Sequence, residues 1–336
     1  MTGPRKVGVA IIGCGEISKY HIEALRMVPQ AEIRVCCDIL PERAWAASAG
    51  YAYVTADYEQ AIAHEGVDLV FVLTPNYLHM PIAVCAAQHG KHVFVQKPFA
   101  CTVQECEAII AAARQNHVKV FASFMHRYFE ETQWARRYIA EGGLGEIYMA
   151  HIRNSLPGSD YSTWQYEAAR CGQGGAIVDV GVHGIDIVRY LLGDIDQVLC
   201  ANKGQKLATR VINGQTIHPD NEDWALATYR LKSGAVVSHQ ISWIQKWHCN
   251  RYTMEIHGSK GSLYLRTGYG PLAVTSPGVS APGNLVYPAL PAAHFGYRQH
   301  QEVISSVLQD TPVFCPGEDG LYTLQVVQKI LTVAHS

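Results

Sequence analysis

Five short apolar runs punctuate the first 125 residues: Val7–Ile12, Ile33–Asp38, Asp68–Thr74, Val93–Gln96 and Lys119–Ser123. They are almost continuously apolar, as strands covered on both faces must be. Amphipathic segments with helix start and stop signals separate them. Asp57-x-x-Gln60 and Thr102-x-x-Glu105 have the spacing of capping boxes, and Gly50, Gly66 and Gly90 sit where helices end. Strand–helix alternation of this kind predicts a parallel, doubly wound α/β sheet over 1–125.

After residue 125 the periodicity changes. A helix is expected over Glu130–Ala140, ending at Gly142-Gly143. Strands follow at Glu146–Asn154, Val198–Lys203, Trp224–Leu231, Ala235–Trp243, Tyr252–His257 and Ser262–Arg266. Short glycine turns, such as Lys232-Ser233-Gly234 and Gly258-Ser259-Lys260-Gly261, join several of them in the manner of hairpins. Alternating apolar and polar positions predict an open, mostly antiparallel sheet with one face on helices and the other free for another subunit. Residues 268–296, rich in Gly, Pro, Ala and Ser, read as loop, and two helices close the chain near Tyr297–Gln309 and Gly320–Ala334. The expected organisation is therefore a dinucleotide-binding domain over 1–125 and an α+β substrate-binding and oligomerisation domain over 126–336. The last helices are expected to pack back on the first domain.

Composition narrows the function classes. Twenty-seven Lys and Arg balance 29 Asp and Glu, with no run of like charge. This argues against nucleic-acid or membrane partners. The apolar start leads straight into a glycine turn without a cleavage site, so a cytoplasmic protein is expected. The ten cysteines form no C-x-x-C pair and read as buried thiols of a reducing compartment.

The stretch "VAIIGCGEIS" is a strand followed by Gly13-x-Gly15-x-x-Ser18. The first glycine makes the tight turn, the second lets backbone approach a pyrophosphate, and a small third residue lets helix pack on strand. The phosphates are expected on the backbone of Gly15, Glu16 and Ile17 at a helix N-terminus, where free N–H groups and the dipole favour anions. Asp38 ends the second strand, 25 residues after Gly13, placed to accept the ribose hydroxyls and repel a 2′-phosphate. The first arginine after it is Arg43, so NAD is favoured over NADP. Thr74, Pro75, Asn76 and His79 follow the next long strand and are expected along the cofactor, although Pro75-Asn76 is also a good turn.

Two further features suggest chemistry. The strand ending at Gln96 runs into Lys97-Pro98, and the proline stops the ladder and holds Lys97 extended. In "GGAIVDVGVHGIDIVRYLLG", Asp179, His183 and Asp186 recur at i, i+4 and i+7, one face of a helix. That face could be a metal site, a structural hydrogen-bond ladder or a proton-handling site.

Taken in order, "GCGEIS", "TPNYLH", "QKP", "MHRY", "GGAIVDVGVHGIDIVRYLLG", "IHGSKGSL" and "GEDGLYTLQVVQKI" span essentially the whole chain. Together they resemble the glucose–fructose oxidoreductase/inositol dehydrogenase/rhizopine catabolism (Gfo/Idh/MocA) family. The resemblance implies a Rossmann domain, a nicotinamide cofactor bound also by Gln96 and Lys97, and a sugar or cyclic polyol as substrate. It implies Lys97, His183 and Asp179 as the catalytic group, with Lys97 and His183 handling the proton and Asp179 orienting. A Lys-Pro bond can be cis in this family. Substrate contacts are expected from Lys97, Arg127, Tyr128, Asn154, Trp164, Asp179, His183 and Tyr297. The family's usual glutamate before this lysine is Gln96 here, which removes an anion from beside Lys97. Homodimers or homotetramers through the C-terminal sheet are expected. The rival readings are a metal site at Asp179, His183 and Asp186, which the nearby lysine argues against, and a non-catalytic sensor of the same fold.

Overall fold

The computed structural model describes residues 5–172, 174–245, 252–281 and 284–335. The chain divides into two compact units, one of residues 1–125 and 293–322, the other of 126–292 and 323–336.

In the first unit β1 (Val7–Ile12), β2 (Ala31–Cys37), β3 (Tyr53–Thr55), β4 (Leu69–Val72), β5 (His92–Val95) and β6 (Val120–Ala122) form one sheet in the order β3-β2-β1-β4-β5-β6. Every pairing is parallel. The order reverses between β1 and β4, and in such sheets ligands collect at the carboxyl ends of the strands flanking that reversal. Helices α1 (Glu16–Arg26), α2 (Pro41–Ser48), α3 (Tyr58–Ala63), α4 (His79–Gln88) and α5 (Val103–Gln115) connect the strands. All of β1 and β4 is buried, which explains their unbroken apolar sequence. Asp57 caps α3 by accepting from Glu59 and Gln60 N–H, and Thr102 caps α5 by accepting from Glu105 N–H. The Glu105 carboxylate reaches back to Cys101 N–H rather than to Thr102, one residue beyond the reciprocal arm of a capping box.

The second unit holds α6 (Glu130–Ala140), β7 (Ile147–Ser155), the short α7 (Ala168–Cys171) and α8 (Val182–Leu192). Strands β8 (Ile195–Gly204), β9 (Arg210–Ile212), β10 (Gln215–Ile217), β11 (Trp224–Leu231), β12 (Val236–Ser242), β13 (Thr253–Gly258), β14 (Gly261–Thr267) and β15 (Gly270–Thr275) follow. Helices α9 (Tyr297–Gln309) and α10 (Gly317–Val333) precede a last strand, β16 (Ala334–His335). Helix α9 belongs to the first unit and the division between units falls within α10. The large sheet has eight strands in the order β15-β14-β13-β7-β12-β11-β8-β16. It is antiparallel except at β12–β7 and β16–β8. The hairpin β9–β10 stands apart from it. Along β11 buried positions alternate with exposed or half-buried ones, so one face is packed and the other open. Strand β15 lies inside the stretch read as loop: its Leu272, Ala273 and Val274 are buried against β14 although Gly, Pro and Ser surround them.

Candidate functional site

In the first unit β1 runs into Gly13, whose φ is +93°. A Cβ there would lie 2.7–2.8 Å from the Leu73 carbonyl and Thr74 nitrogen, so only glycine lets β1 turn past the end of β4. Gly15 differs. Nothing lies within 4 Å of the Cβ it lacks, which leaves backbone open to an approaching diphosphate. Asp38 is half-buried. Its Oδ2 accepts the Cys14 N–H at 2.8 Å and its Oδ1 accepts the Leu40 N–H at 2.9 Å. Each oxygen keeps a lone pair for a ribose hydroxyl. Buried Ser18 donates its hydroxyl to the Gly15 carbonyl at 2.6 Å, tightening the turn. The Thr74 hydroxyl at the end of β4 is buried without a partner among the described residues. A backbone cradle, an acid beyond β2 and an unsatisfied hydroxyl fit a dinucleotide.

Glu16, Ile17, Asn76 and His79 lie at the helix starts and turns that follow β1 and β4. Glu16 is exposed and pairs with Lys19 at 2.6 Å. Ile17 packs against the core of the unit. Asn76 is buried in a short turn. His79 is placed at the cofactor by its sequence position, yet the structure encloses its ring completely. Its Nδ1 faces the Pro98 carbonyl and its Nε2 the Thr74 carbonyl, each at 2.9 Å. Burial pushes its pKa down to about 4, so the neutral ring donates to one carbonyl at a time. His79 therefore ties the loop after β4 to the segment after Lys97.

Lys97 lies two residues past the end of β5, half-buried between buried Gln96 and Pro98. Its peptide bond to Pro98 is cis. Its backbone N–H donates to Gln96 Oε1 at 2.7 Å. Tyr297 opens α9, and its ring packs on the core of the first unit.

In the second unit Asp179 lies in a π-helical turn, Ile177–Gly181, that leads into α8. The expected single α-helix is thus widened at its start, a deviation that frequently accompanies functional sites. The turn is anchored by Glu222, whose Oε1 accepts the Gly175 and Ile177 N–H groups at 2.7 and 3.0 Å. Burial raises the pKa of Glu222. Asp179 Oδ2 accepts from Trp243 Nε1 at 2.9 Å. His183, on the first turn of α8, is buried and stacks on His126 with centroids 4.4 Å apart.

Asp186 turns elsewhere. It takes a forked pair of hydrogen bonds from Arg127, with Nε at 3.0 and 2.9 Å from its two oxygens and Nη2 on Oδ1. Both side chains are buried, and Arg127 also lies over the Tyr190 ring. Arg127, expected at the substrate, therefore has its fork committed to α8, and Asp186 is removed from the rival metal trio. Among the described residues no group of three His, Cys, Asp or Glu side chains could hold a metal ion. Tyr128 is buried and Trp164 half-buried in a short turn. Asn154 is buried, and its Oδ1 accepts from His239 Nε2 at 2.8 Å, while Tyr229 donates to His239 Nδ1 at 2.9 Å. A Cβ at Gly184 would sit 2.2 Å from Asn154 Oδ1, which explains the glycine in α8.

Sequence reasoning missed Trp243, His126, Glu222 and His239. Only His126, inside the quoted "MHRY", carried a local signal; the others act from strands or loops far along the chain.

Comparison with known proteins bears on both units. The Gfo/Idh/MocA family model described as "Oxidoreductase family, NAD-binding Rossmann fold" matches residues 7–124, and the model of the Gfo/Idh/MocA C-terminal domain matches 132–264. Levoglucosan dehydrogenase of Pseudarthrobacter phenanthrenivorans is 29% identical over 287 residues, spanning 77% of this chain and 73% of that protein. An uncharacterised oxidoreductase of Synechocystis is 30% identical over 274 residues, spanning 79% of this chain and 73% of its own length. A solved levoglucosan dehydrogenase in complex with NADH has a TM-score of 0.88 at 25% identity, covering 98% of this chain and 97% of that one.

Proposed function

The chain belongs to the Gfo/Idh/MocA oxidoreductase family, and from that premise we propose that it oxidises a secondary alcohol of a free sugar or inositol with NAD⁺. The observation that carries the reading is Lys97, an amine standing at the carboxyl end of β5, where ligands of a doubly wound sheet collect. NAD⁺, when bound, supplies the acceptor for the hydrogen and electron pair leaving the carbon. The protein's own residues manage the rest. Lys97 donates a hydrogen bond to the oxygen as it becomes an alkoxide, and His183 accepts the hydroxyl proton. Asp179, itself held by Trp243, orients the hydroxyl. Trp164 offers an aromatic face to the ring. Asp38 selects NAD⁺ by accepting ribose hydroxyls and repelling a 2′-phosphate.

The test is absorbance at 340 nm with NAD⁺ and NADP⁺ against free aldoses, inositols, anhydro sugars and glycosides. The expected result is turnover of a free sugar or inositol, with kcat/KM for NAD⁺ at least about tenfold above NADP⁺. Asp38→Ser should narrow that ratio. No reduction of either cofactor across the panel would overturn the reading in favour of a sensor.

The same proposal puts the protein in the cytoplasm, and the nine described cysteines are all free, as suits a reducing compartment. It also pairs the open face of the eight-stranded sheet with a second copy. Met149 and Leu226, 41% and 50% exposed, supply apolar area for that contact. Light scattering should give twice or four times the 37.0 kDa chain mass. A monomer at micromolar concentration would remove the pairing.

A further inference from the structure

A chain of hydrogen bonds runs through the first unit behind Lys97. Lys97 N–H donates to Gln96 Oε1 at 2.7 Å. Gln96 Nε2 is 3.1 Å from His21 Nε2, His21 Nδ1 is 2.9 Å from His300 Nε2, and His300 Nδ1 is 2.7 Å from the Gly296 carbonyl. Gln96 is 8% exposed, and His21 and His300 are fully enclosed. Phe71 and Phe94 pack against both histidine rings.

The proton positions follow from the two ends. A backbone N–H can only donate, so the Gln96 atom facing Lys97 must be its oxygen. The other atom is then the NH₂, which donates, and His21 Nε2 must be a bare acceptor. His21 carries its proton on Nδ1 and donates to His300 Nε2. His300 carries its proton on Nδ1 and donates to a carbonyl, which can only accept. All four bonds point the same way, an arrangement in which each polarises the next. Both rings are neutral in this pattern. Burial lowers the pKa of His21 well below its ordinary value and that of His300 to about 4, in agreement.

An ionised glutamate at 96 would break the chain. Its second oxygen accepts, so His21 would need a proton on Nε2. That proton makes His21 a cation, or it reverses the tautomers until His300 Nδ1 points a lone pair at the Gly296 carbonyl. Glutamine keeps the path uncharged and the direction single.

Resting on the assignment of Lys97 to the reaction, we infer that His21 and His300 are positioning residues: through Gln96 their oriented chain fixes the backbone from which the Lys97 side chain projects. Gln96 is the amide this direction requires. His21 lies on α1, the helix after the glycine turn, and His300 on α9, so three separate segments set one lysine.

The test has two independent parts. Long-range ¹⁵N–¹H spectra of ¹⁵N-histidine protein at pH 7, with signals assigned by His21→Gln and His300→Gln, should show both rings neutral and protonated on Nδ1. In Gln96→Glu the His21 signals should move to an Nε2-protonated or doubly protonated ring. A wild-type ring protonated on Nε2, or a His21 unmoved by Gln96→Glu while infrared carboxyl bands show the new glutamate ionised, would overturn the chain. The second part is kinetic, on whichever substrate the cofactor assay identifies. His300→Phe removes the acceptor for His21 and should lower kcat by about tenfold to a hundredfold, the cost of a misplaced group, with KM for NAD⁺ within about twofold. His300→Gln presents an acceptor oxygen and a donor NH₂ in the same sense and should recover most of the loss. Equal losses in the two variants would overturn the positioning role. Should Lys97→Ala turn over like the wild type, the assignment of Lys97 fails while the spectra still report on the chain.

Discussion

Lys97→Ala and His183→Ala are each expected to lower kcat by about a hundredfold to ten-thousandfold while NADH still binds. The magnitude is that of a positioned general acid or base, about 10²–10⁴, with a preorganised donor to the alkoxide contributing about 10²–10³. The two variants should differ in their structural side effects. Lys97 is half-buried at a strand end, so removing its side chain leaves no sealed cavity. His183 is 8% exposed and stacked on His126, so its removal should also cost stability. Lys97→Arg is the sharper variant. A guanidinium keeps the charge but cannot release a proton near neutral pH, so a variant acting only by charge would survive it and one acting by proton transfer would not. Asp179→Asn keeps an acceptor for Trp243 Nε1 and should lose less than either. Steady-state kinetics with NADH fluorescence titration decide the matter. Two active alanine variants with ordinary NADH affinity would remove both residues from the reaction.

The elements that could be read from sequence were those whose pattern is local. Val7–Ile12, Trp224–Leu231, Glu130–Ala140 and Tyr297–Gln309 appear with the bounds their periodicity gave. Strand β3 escaped because three residues are too few to display a period, and β15 because the glycine and prolines around it read as loop. The π-helical turn at Asp179 escaped because one extra residue per turn leaves i, i+4 spacing intact. The site divides the same way. The glycine turn, Asp38 and Lys97 sit at strand ends and announce themselves by position. His21 and His300, 279 residues apart, look like single polar residues on apolar helix faces, and only the fold shows that each completes the other. Gln96 was legible as a departure from the family pattern, but its reason lay in those two rings. Arg127 is the opposite case. Its place after β6 suggested substrate, whereas Asp186, 59 residues on, had the prior claim.

Acid should unfold the first unit before the second. Four fully enclosed histidines are held neutral by burial: His79 and His300 near pKa 4, His239 near 3 and His21 well below its ordinary value. In the unfolded chain each titrates near 6.5. Between that pH and the folded value the unfolded state binds a proton that the native state does not, so stability falls as pH falls. Each such histidine costs about 1.4 kcal/mol per pH unit in that window. Three of them, His21, His79 and His300, belong to the first unit, which should lose about 5 kcal/mol between pH 6.5 and 5. Domain stabilities are typically about 5–15 kcal/mol, so its transition should fall near pH 5. Of these four, His239 alone belongs to the second unit, and Glu222 opposes it: burial raises that carboxyl, so the native state takes up its proton first as pH falls. The second transition should therefore come at lower pH. Thermal melts followed by circular dichroism should be level from about pH 8 to 7 and split into two steps below 6. Calorimetry in buffers of different ionisation enthalpy should find close to three protons taken up in the first step near pH 5.5. His79→Gln should remove one of them and leave the second step in place. A single melting temperature unchanged from pH 7.5 to 5 would mean that the buried rings do not govern acid stability.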